Sequence, residues 1–83
     1  MTYTLTAHAK RVLAEREIRL DWLERTLNDP VLRRPDPDDT SIERLYRPIP
    51  EFGGRVLRVA VNSTVAPARV VSVFFDRSMR GKL

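Results

Sequence analysis

Cysteine is absent from the 83 residues, and histidine and tryptophan occur once each. Without cysteine the chain has no disulfide, no thiolate zinc site and no thiol nucleophile, which fits a reducing compartment. With a single histidine there is no metal-ligand pattern, so we expect neither a metal nor a cofactor. No apolar run approaches the roughly 18 residues of a membrane span, and the polar start does not resemble a signal peptide. We therefore expect a cytoplasmic protein without a membrane partner.

Positive charge is concentrated in the second half of the chain. Residues 1–42 contain seven Lys/Arg against eight Asp/Glu, a balance of −1, and residues 43–83 contain eight against three, a balance of +5, which sum to the formal +4. A basic region attracts phosphate, and thirteen of the fifteen basic residues are arginine, which suits bidentate phosphate contacts. Solvated strand surfaces and an arginine-rich parent genome are the alternative explanations.

Hydrophobic spacing predicts two helices near the N-terminus. Thr6 is an N-cap candidate, and apolar residues at helical spacing follow it over residues 7–17. Three leucines at positions i, i+3 and i+7 predict a second helix over residues 20–28. Pro30 ends this helix, because proline disfavours helical geometry in the preceding residue. We expect Ile18 to leave the first helix and to pack beneath it.

The remaining chain is predicted to form strands. Residues 29–40 are rich in proline and acidic residues, which is typical of an irregular connector. Strands are predicted over residues 41–47, 55–62 and 69–75, the last two as a hairpin, followed by a basic tail over residues 76–83. The expected fold is α+β, with two N-terminal helices packed on a small antiparallel sheet in one domain. A further short strand before the first helix is compatible with this order.

Two residues of the first helix are candidates for chemistry. At about 100° per residue, Arg16 falls between Val12 and Ala9 on the helical wheel, inside the apolar arc. A buried guanidinium needs a carboxylate, carbonyl or phosphate partner. His8 lies at the margin of the same arc and is the usual residue type for proton transfer near neutral pH. The alternatives are a structural ion pair of Arg16 with Asp76, a solvent-directed Arg16 side chain, and a capping role for His8.

Two strand residues interrupt apolar patterns. Arg58 is the one charge on the second face of its strand, and Ser72 is the only polar residue after Arg69 in an otherwise apolar strand. If the two strands form a hairpin, both side chains could approach the helix pair. The alternatives are an exposed edge charge for Arg58 and a buried hydroxyl bonded to the backbone for Ser72.

Four runs of sequence resemble the bacterial family catalogued as domain of unknown function 4258. They are TAHA and AEREI within residues 6–18, IPEFGGRVLRV at residues 49–59, and VVSVFFDR at residues 70–77. The resemblance covers nearly the whole chain. The family is similar in plan to the barnase–EndoU–colicin–RelE ribonucleases, in which helices precede an antiparallel sheet that holds RNA. It implies a small RelE-like, toxin-type endoribonuclease or an inactive relative of that fold.

Together with the residue patterns, the resemblance implies metal-independent RNA cleavage that leaves a 2′,3′-cyclic phosphate. The sequence departs from the family at Val12, where many members have a basic residue, and it lacks a C-terminal tyrosine. The expected site residues are His8 as acid or base, Arg16 and Arg58 as transition-state ligands, Ser72 and Asp76 as orienting groups, and Arg55, Arg77 and Arg80 as phosphate ligands.

These observations leave two functional hypotheses. The first is an RNA-binding or RNA-cleaving protein of a toxin–antitoxin type, whose partners would be RNA and a cognate antitoxin. The second is a non-enzymatic module that binds a protein partner, or a second copy of itself, through a sheet edge or an apolar helix surface. Fold-level similarity alone does not decide between them.

Overall fold

A computed structural model describes residues 2–83, which form two helices and a five-stranded sheet. Two short 3₁₀ helices flank the last two strands, at Pro50–Phe52 and Arg77–Met79. No helix in residues 2–83 is long and apolar enough to cross a membrane. The main elements are β1 (Tyr3–Leu5), α1 (Ala7–Glu15), α2 (Leu20–Asn28), β2 (Leu32–Pro35), β3 (Glu43–Ile49), β4 (Arg55–Asn62) and β5 (Ala68–Phe75).

The strand order in the sheet is β1-β5-β4-β3-β2. The four strands β2 to β5 are antiparallel to their neighbours, whereas β1 runs parallel to β5 with Leu5 opposite Val70. The predicted α+β class, with helices ahead of most strands, is confirmed. The strands that were predicted pair antiparallel as expected, and the parallel pairing of β1 makes the five-stranded sheet mixed. Three residues are too few for β1 to show a strand period, and its pairing is decided by contacts about 65 residues away.

The helices cover one face of the sheet and form the core with it. From α2, Leu23 and Leu27 are buried, while Leu20 at the helix start is 52% exposed and does not belong to the predicted stripe. Burying a leucine stabilises a fold by about 1.5–3 kcal/mol, so this layer accounts for much of the stability. The core side chains are Ala9, Leu13, Ile18, Trp22, Leu23, Leu27, Leu45, Ile49, Leu57, Val59, Val61, Ala68, Val70 and Val73.

Both ends of α1 are fixed by local hydrogen bonds. The Thr6 hydroxyl oxygen accepts from the Ala9 N–H at 3.1 Å, which confirms the predicted N-cap. The helix ends earlier than predicted, because Glu17 adopts a left-handed conformation (φ 52°). The Ile18 N–H then donates to the Leu13 carbonyl at 3.0 Å, as in a Schellman ending. Ile18 leaves the helix and packs in the core, as expected.

The predicted irregular connector contains a strand. Residues 32–35 form β2, which pairs with β3 so that Leu32 lies opposite Tyr46. The prediction was wrong here because the sequence of β2, LRRP, does not alternate between apolar and polar residues as a strand usually does. Its backbone is ordered by β3, and Pro35 ends the pairing at the sheet edge.

Candidate functional site

A groove of about 1080 Å³ lies beside the second half of β5. It is lined by α1, by the 3₁₀ helix at Phe52 and by residues that follow β5. Arg58 is the one predicted site residue that does not line it. The predicted site residues that do line it are His8, Arg16, Arg55, Ser72, Asp76, Arg77 and Arg80.

The start of α1 explains why distant residues meet in this groove. The Thr6 backbone N–H donates to the Val70 carbonyl at 3.0 Å, and the Thr6 hydroxyl donates to the Val71 carbonyl at 3.3 Å. These bonds attach the first turn of α1 to β5. Residues at positions i, i+3 and i+7 share one helix face, so His8, Arg11 and Glu15 all line the same groove.

The arginines of the groove have no carboxylate partner. Six of the thirteen arginines in the chain form ion pairs within residues 2–83. Five of the other seven line the groove, and all five are exposed. We call these five the groove arginines. They are Arg11, Arg16, Arg55, Arg77 and Arg80.

Three groove arginines have contacts that leave their charge uncompensated. Arg80 Nη2 donates to the Gly53 carbonyl at 2.9 Å. The Arg55 guanidinium lies 4.7 Å from the centre of the Phe52 ring. Arg11 Nη2 lies 3.4 Å from His8 Nδ1. Five arginines thus share the groove with two carboxylates, those of Glu15 and Asp76, a formal surplus of +3.

His8 is exposed in the first turn of α1. Because the Arg11 guanidinium can only donate, the His8 Nδ1 atom accepts in this contact. A neutral imidazole in this arrangement carries its proton on Nε2. The acceptor nitrogen of the ring is occupied by Arg11, so the ring can take up a proton only when this contact opens.

Arg16 is not buried, so the prediction of an inward-facing guanidinium was wrong. The side chain is exposed, because the helix ends at Glu15 and Arg16 is the C-cap residue. The helical angle that placed it in the apolar arc does not apply to a residue outside the regular helix. The expected ion pair of Arg16 with Asp76 is not formed; Asp76 pairs with Arg58 instead.

Arg58 lies behind the groove, on the sheet face opposite the helices. Its guanidinium is 4.0 Å from the centre of the Phe74 ring, and Nη1 is 3.6 Å from Asp76 Oδ2. It is half-buried, and its Nε atom has no hydrogen-bond partner within residues 2–83. Arg58 therefore contacts two residues that line the groove, Phe74 and Asp76, and it is not the exposed edge charge of the alternative explanation.

Asp76 fixes the segment that follows β5. Its Oδ1 atom accepts from the Ser78 hydroxyl at 2.6 Å and from the Ser78 N–H at 3.0 Å. These bonds, together with the charge of Arg58, lower the pKa of the Asp76 carboxyl. The carboxylate caps the 3₁₀ helix Arg77–Met79. The predicted tail thus has a fixed start, and this start places Arg77 at the groove.

Ser72 reaches the groove because of a β-bulge. Strict alternation would give Ser72 the same face as Val70, toward the core. The register between β4 and β5 shifts at Ala60 and Val61, so that Val71 is an extra residue. Val70 and Val73 then both face the helices, and Ser72 lies outside the core. The Ser72 hydroxyl has no hydrogen-bond partner within residues 2–83, unlike the backbone-bonded hydroxyl of the alternative explanation.

Two residues of the groove were missed at the sequence level. Arg11 follows His8 at helical spacing, which was the available signal. Phe52 was assigned to a turn, and nothing in its neighbourhood indicated that its ring would be 38% exposed at a groove. The ring is 5.2 Å from Trp22 and 5.0 Å from Phe75, measured between ring centres.

An ion pair with α2 holds the Phe52 segment in place. Arg25 donates to both carboxylate oxygens of Glu51, at 2.8 and 2.7 Å. This contact lowers the pKa of Glu51 from its ordinary value of 4.5 to about 2. Gly53 follows in a left-handed backbone conformation (φ 68°), which residues with a side chain rarely adopt. The orientation of Phe52 is therefore determined on both sides.

The groove combines positive charge with an exposed aromatic surface. Within residues 2–83 no group of three His, Asp or Glu side chains is arranged to hold a metal ion. The contacts that the groove offers are guanidinium donors, one imidazole, one hydroxyl and the exposed ring of Phe52. These are contacts suited to a chain of phosphates with attached rings.

Comparison with known proteins identifies a family but no activity. The family profile described as domain of unknown function DUF4258 matches residues 5–75. No curated protein and no solved structure matches the chain, so the similarity to RelE-like ribonucleases is not confirmed. The matched range includes both helices and β2 to β5, and only Leu5 of β1. It leaves out Asp76, Arg77 and Arg80. The chain is a member of the DUF4258 family.

Proposed function

We propose that the groove binds RNA and that His8 takes part in its metal-independent cleavage, as in a toxin-type endoribonuclease. The observation that carries this proposal is the set of five groove arginines, none of which is neutralised by a carboxylate of residues 2–83. Guanidinium groups bind phosphate oxygens in bidentate geometry. Five of them along one groove are suited to several consecutive phosphates of a nucleic acid backbone.

The imidazole supports the cleavage step. In the proposed reaction the ribose 2′-hydroxyl attacks the neighbouring phosphorus, and the bond from phosphorus to the 5′ oxygen breaks. The hydroxyl proton passes to solvent. His8 acts as the acid in its imidazolium form, in which Nδ1 has taken up a proton and left Arg11. Nε2 then gives its proton to the departing 5′ oxygen, and the ring becomes neutral. The products are a 2′,3′-cyclic phosphate and a 5′-hydroxyl. In this proposal Arg16 and Arg11 would stabilise the charge that develops on the phosphate.

The proposal also includes the other site residues predicted from the sequence. Arg55, Arg77 and Arg80 would hold flanking phosphates, and Ser72 would offer a hydroxyl to the substrate. Asp76 and Arg58 would orient the segment that carries Arg77, and neither needs to contact RNA. A cognate antitoxin, self-association and the role of a protein-interaction module stay predictions of the sequence.

The test of the proposal is the substitution His8→Ala. Cleavage of a labelled RNA oligonucleotide should fall by about 10²–10⁴-fold, the usual contribution of general acid–base catalysis. RNA binding should persist, because the groove arginines are unchanged. Mass spectrometry of the products should show the 2′,3′-cyclic phosphate with the unmodified protein.

Lys10→Ala is the matched control, since Lys10 is an exposed basic residue on the same helix that does not line the groove. It should leave cleavage unchanged. Undiminished cleavage by His8→Ala would remove His8 from the mechanism. If the unmodified protein bound RNA without cleaving it, the endoribonuclease part of the proposal would be wrong.

A further inference from the structure

The ring of Phe52 points to the class of RNA that the groove takes. We infer that Phe52 is a stacking platform for an unpaired base, so that the ligand is single-stranded RNA. This inference rests on the proposed function, because it assumes that a nucleic acid backbone follows the groove arginines. It adds a recognition element that charge alone does not provide, since guanidinium groups bind phosphates of single and double strands alike.

The exposure of Phe52 has no structural explanation in the core. Its neighbours Trp22 and Phe75 belong to or pack against the core, whereas Phe52 is 38% exposed and lies outside it. The ring is nonetheless held in one place by Trp22 and Phe75, by the Arg25–Glu51 ion pair and by the Gly53 turn. A fixed and exposed aromatic ring is an arrangement that suits stacking, because little conformational freedom is lost on binding.

The guanidinium over Phe52 is free to make room for a base. Arg55 lies 4.7 Å from the ring centre and has no carboxylate partner in residues 2–83. Phe74 offers the informative contrast, because the Arg58 guanidinium over its ring is also held by Asp76. The face of Phe74 is therefore closed, and the face of Phe52 can open. Arg55 can then stack on the far side of the base or bind the adjacent phosphate.

A base on Phe52 would have phosphate ligands close to it. Arg55 is three residues further along the chain, and Arg80 donates to the carbonyl of Gly53, the residue next to Phe52. The bases of duplex RNA are stacked inside the helix and cannot reach a side chain in this way. Single strands expose their bases, and stacking on an aromatic residue contributes about 1–3 kcal/mol per base.

The test compares three probes on the unmodified protein and on Phe52→Leu. The probes are a 12-nucleotide oligouridine, an RNA hairpin of equal charge, and inorganic polyphosphate as a base-free polyanion. We expect Phe52→Leu to weaken oligouridine binding by about 5- to 150-fold, which corresponds to one stacked base. Binding of polyphosphate and the salt dependence of binding should not change. Trp22, 5.2 Å from Phe52, should report oligouridine by a change in fluorescence and should not respond to polyphosphate.

Two further variants separate stacking from structure. Phe52→Tyr keeps an aromatic face and should retain oligouridine binding, which also covers the case that Phe52→Leu folds poorly. Phe74→Leu removes another ring that lines the same groove and should have the smaller effect on oligouridine. A larger effect of Phe74→Leu, or an equal loss of polyphosphate binding in Phe52→Leu, would overturn the assignment of the platform.

The probes also distinguish failure of the inference from failure of the proposed function. Equal affinity of the unmodified protein for oligouridine, hairpin and polyphosphate would overturn single-strand recognition while leaving backbone binding in place. Absence of binding to all three would remove the proposed function, and the inference with it.

Discussion

The arginines on the two sides of this molecule differ in whether they form ion pairs. On the side of α2, β2 and β3 five of the six arginines are bound to carboxylates, whereas none of the five groove arginines is. We call the first set the paired arginines: Arg19, Arg25, Arg33, Arg44 and Arg47. The comparison teaches that one residue type can connect elements of a fold in one region and remain available for a ligand in another.

The fold redistributes the charge that the sequence places in two halves. Asp29 and Asp36 belong to the acidic first half, and they pair with Arg47 and Arg44 of the basic second half. Arg11 of the first half meanwhile joins the groove. Positive charge is therefore concentrated along one groove, where mutual repulsion is screened by salt and can be relieved by a polyanion.

The strongest way to break the comparison is to replace all five groove arginines by glutamine. If each groove arginine contacts one phosphate of a single strand, the logarithm of the RNA binding constant should fall with the logarithm of the salt concentration with a slope of about −3.5 in the unmodified protein. In the variant this slope should be near zero. RNA affinity at low salt should fall on the order of 10³-fold or more. The midpoint of thermal unfolding should not fall, because no ion pair is lost. Fluorescence anisotropy across a salt series measures the first two quantities.

The matched control replaces the five paired arginines by glutamine. This variant has the same change in net charge, so a difference between the two reports position and not charge. We expect a lower midpoint of thermal unfolding and a salt slope close to that of the unmodified protein. The same loss of slope in both variants would show that binding follows net charge and does not involve the groove.

Asp76→Asn tests an ion pair that lies next to the groove, the pair of Arg58 with Asp76. The amide can still accept from Ser78, but the half-buried guanidinium of Arg58 loses its carboxylate, so we expect a loss of about 1–3 kcal/mol in the free energy of unfolding. The folded-state pKa of Asp76 is lowered. Its contribution is therefore present above the unfolded pKa and is lost as pH falls through the folded value. Urea unfolding at pH 7 and at decreasing acidic pH measures both effects.

The double variant Arg58→Met with Asp76→Asn tests whether the uncompensated charge of Arg58 causes the loss of stability in Asp76→Asn. If the penalty comes from the uncompensated guanidinium, removing it should recover much of the lost free energy. An unchanged free energy of unfolding in Asp76→Asn alone would contradict the assigned role of the Arg58–Asp76 pair.

Glu51→Gln should give the smallest effect, since the Arg25–Glu51 pair is exposed. The pKa of Glu51 is lowered from 4.5 to about 2, so the stabilisation is present above pH 4.5 and is lost as pH falls toward 2. Glu51→Gln should therefore have a lower unfolding midpoint at pH 7. The difference from the unmodified protein should shrink as pH falls below 4.5 and be mostly lost by pH 2.

Glu43→Gln is the control, because it removes the exposed Arg33–Glu43 pair, which has a single contact of 3.0 Å. It should change the midpoint less than Glu51→Gln. A pH-independent difference for Glu51→Gln would mean that the ion pair is not what holds the Phe52 segment.

Local pattern predicted the elements that have a strong period of their own. The strand β4 occupies the residues that alternation indicated, and Thr6 caps α1 as its side chain and position suggested. Neither β1 nor β2 could be read in this way, because each is short and is ordered by pairing with a neighbour. The helical wheel predicted the wrong environment for Arg16 for a similar reason. The helix ends before Arg16 because of the conformation of Glu17 and the hydrogen bond of Ile18, which a helical wheel does not include.

The sequence by itself determined the class of the fold, the order of its long elements, the surplus of arginine and the family. Only the tertiary structure decided which arginines are neutralised and which surround the groove. Helix and strand periods are properties of neighbouring residues, whereas an ion pair depends on where the fold places groups far apart in sequence, such as Arg25 and Glu51. The same holds for Ser72, which a one-residue bulge turned from the core toward the groove.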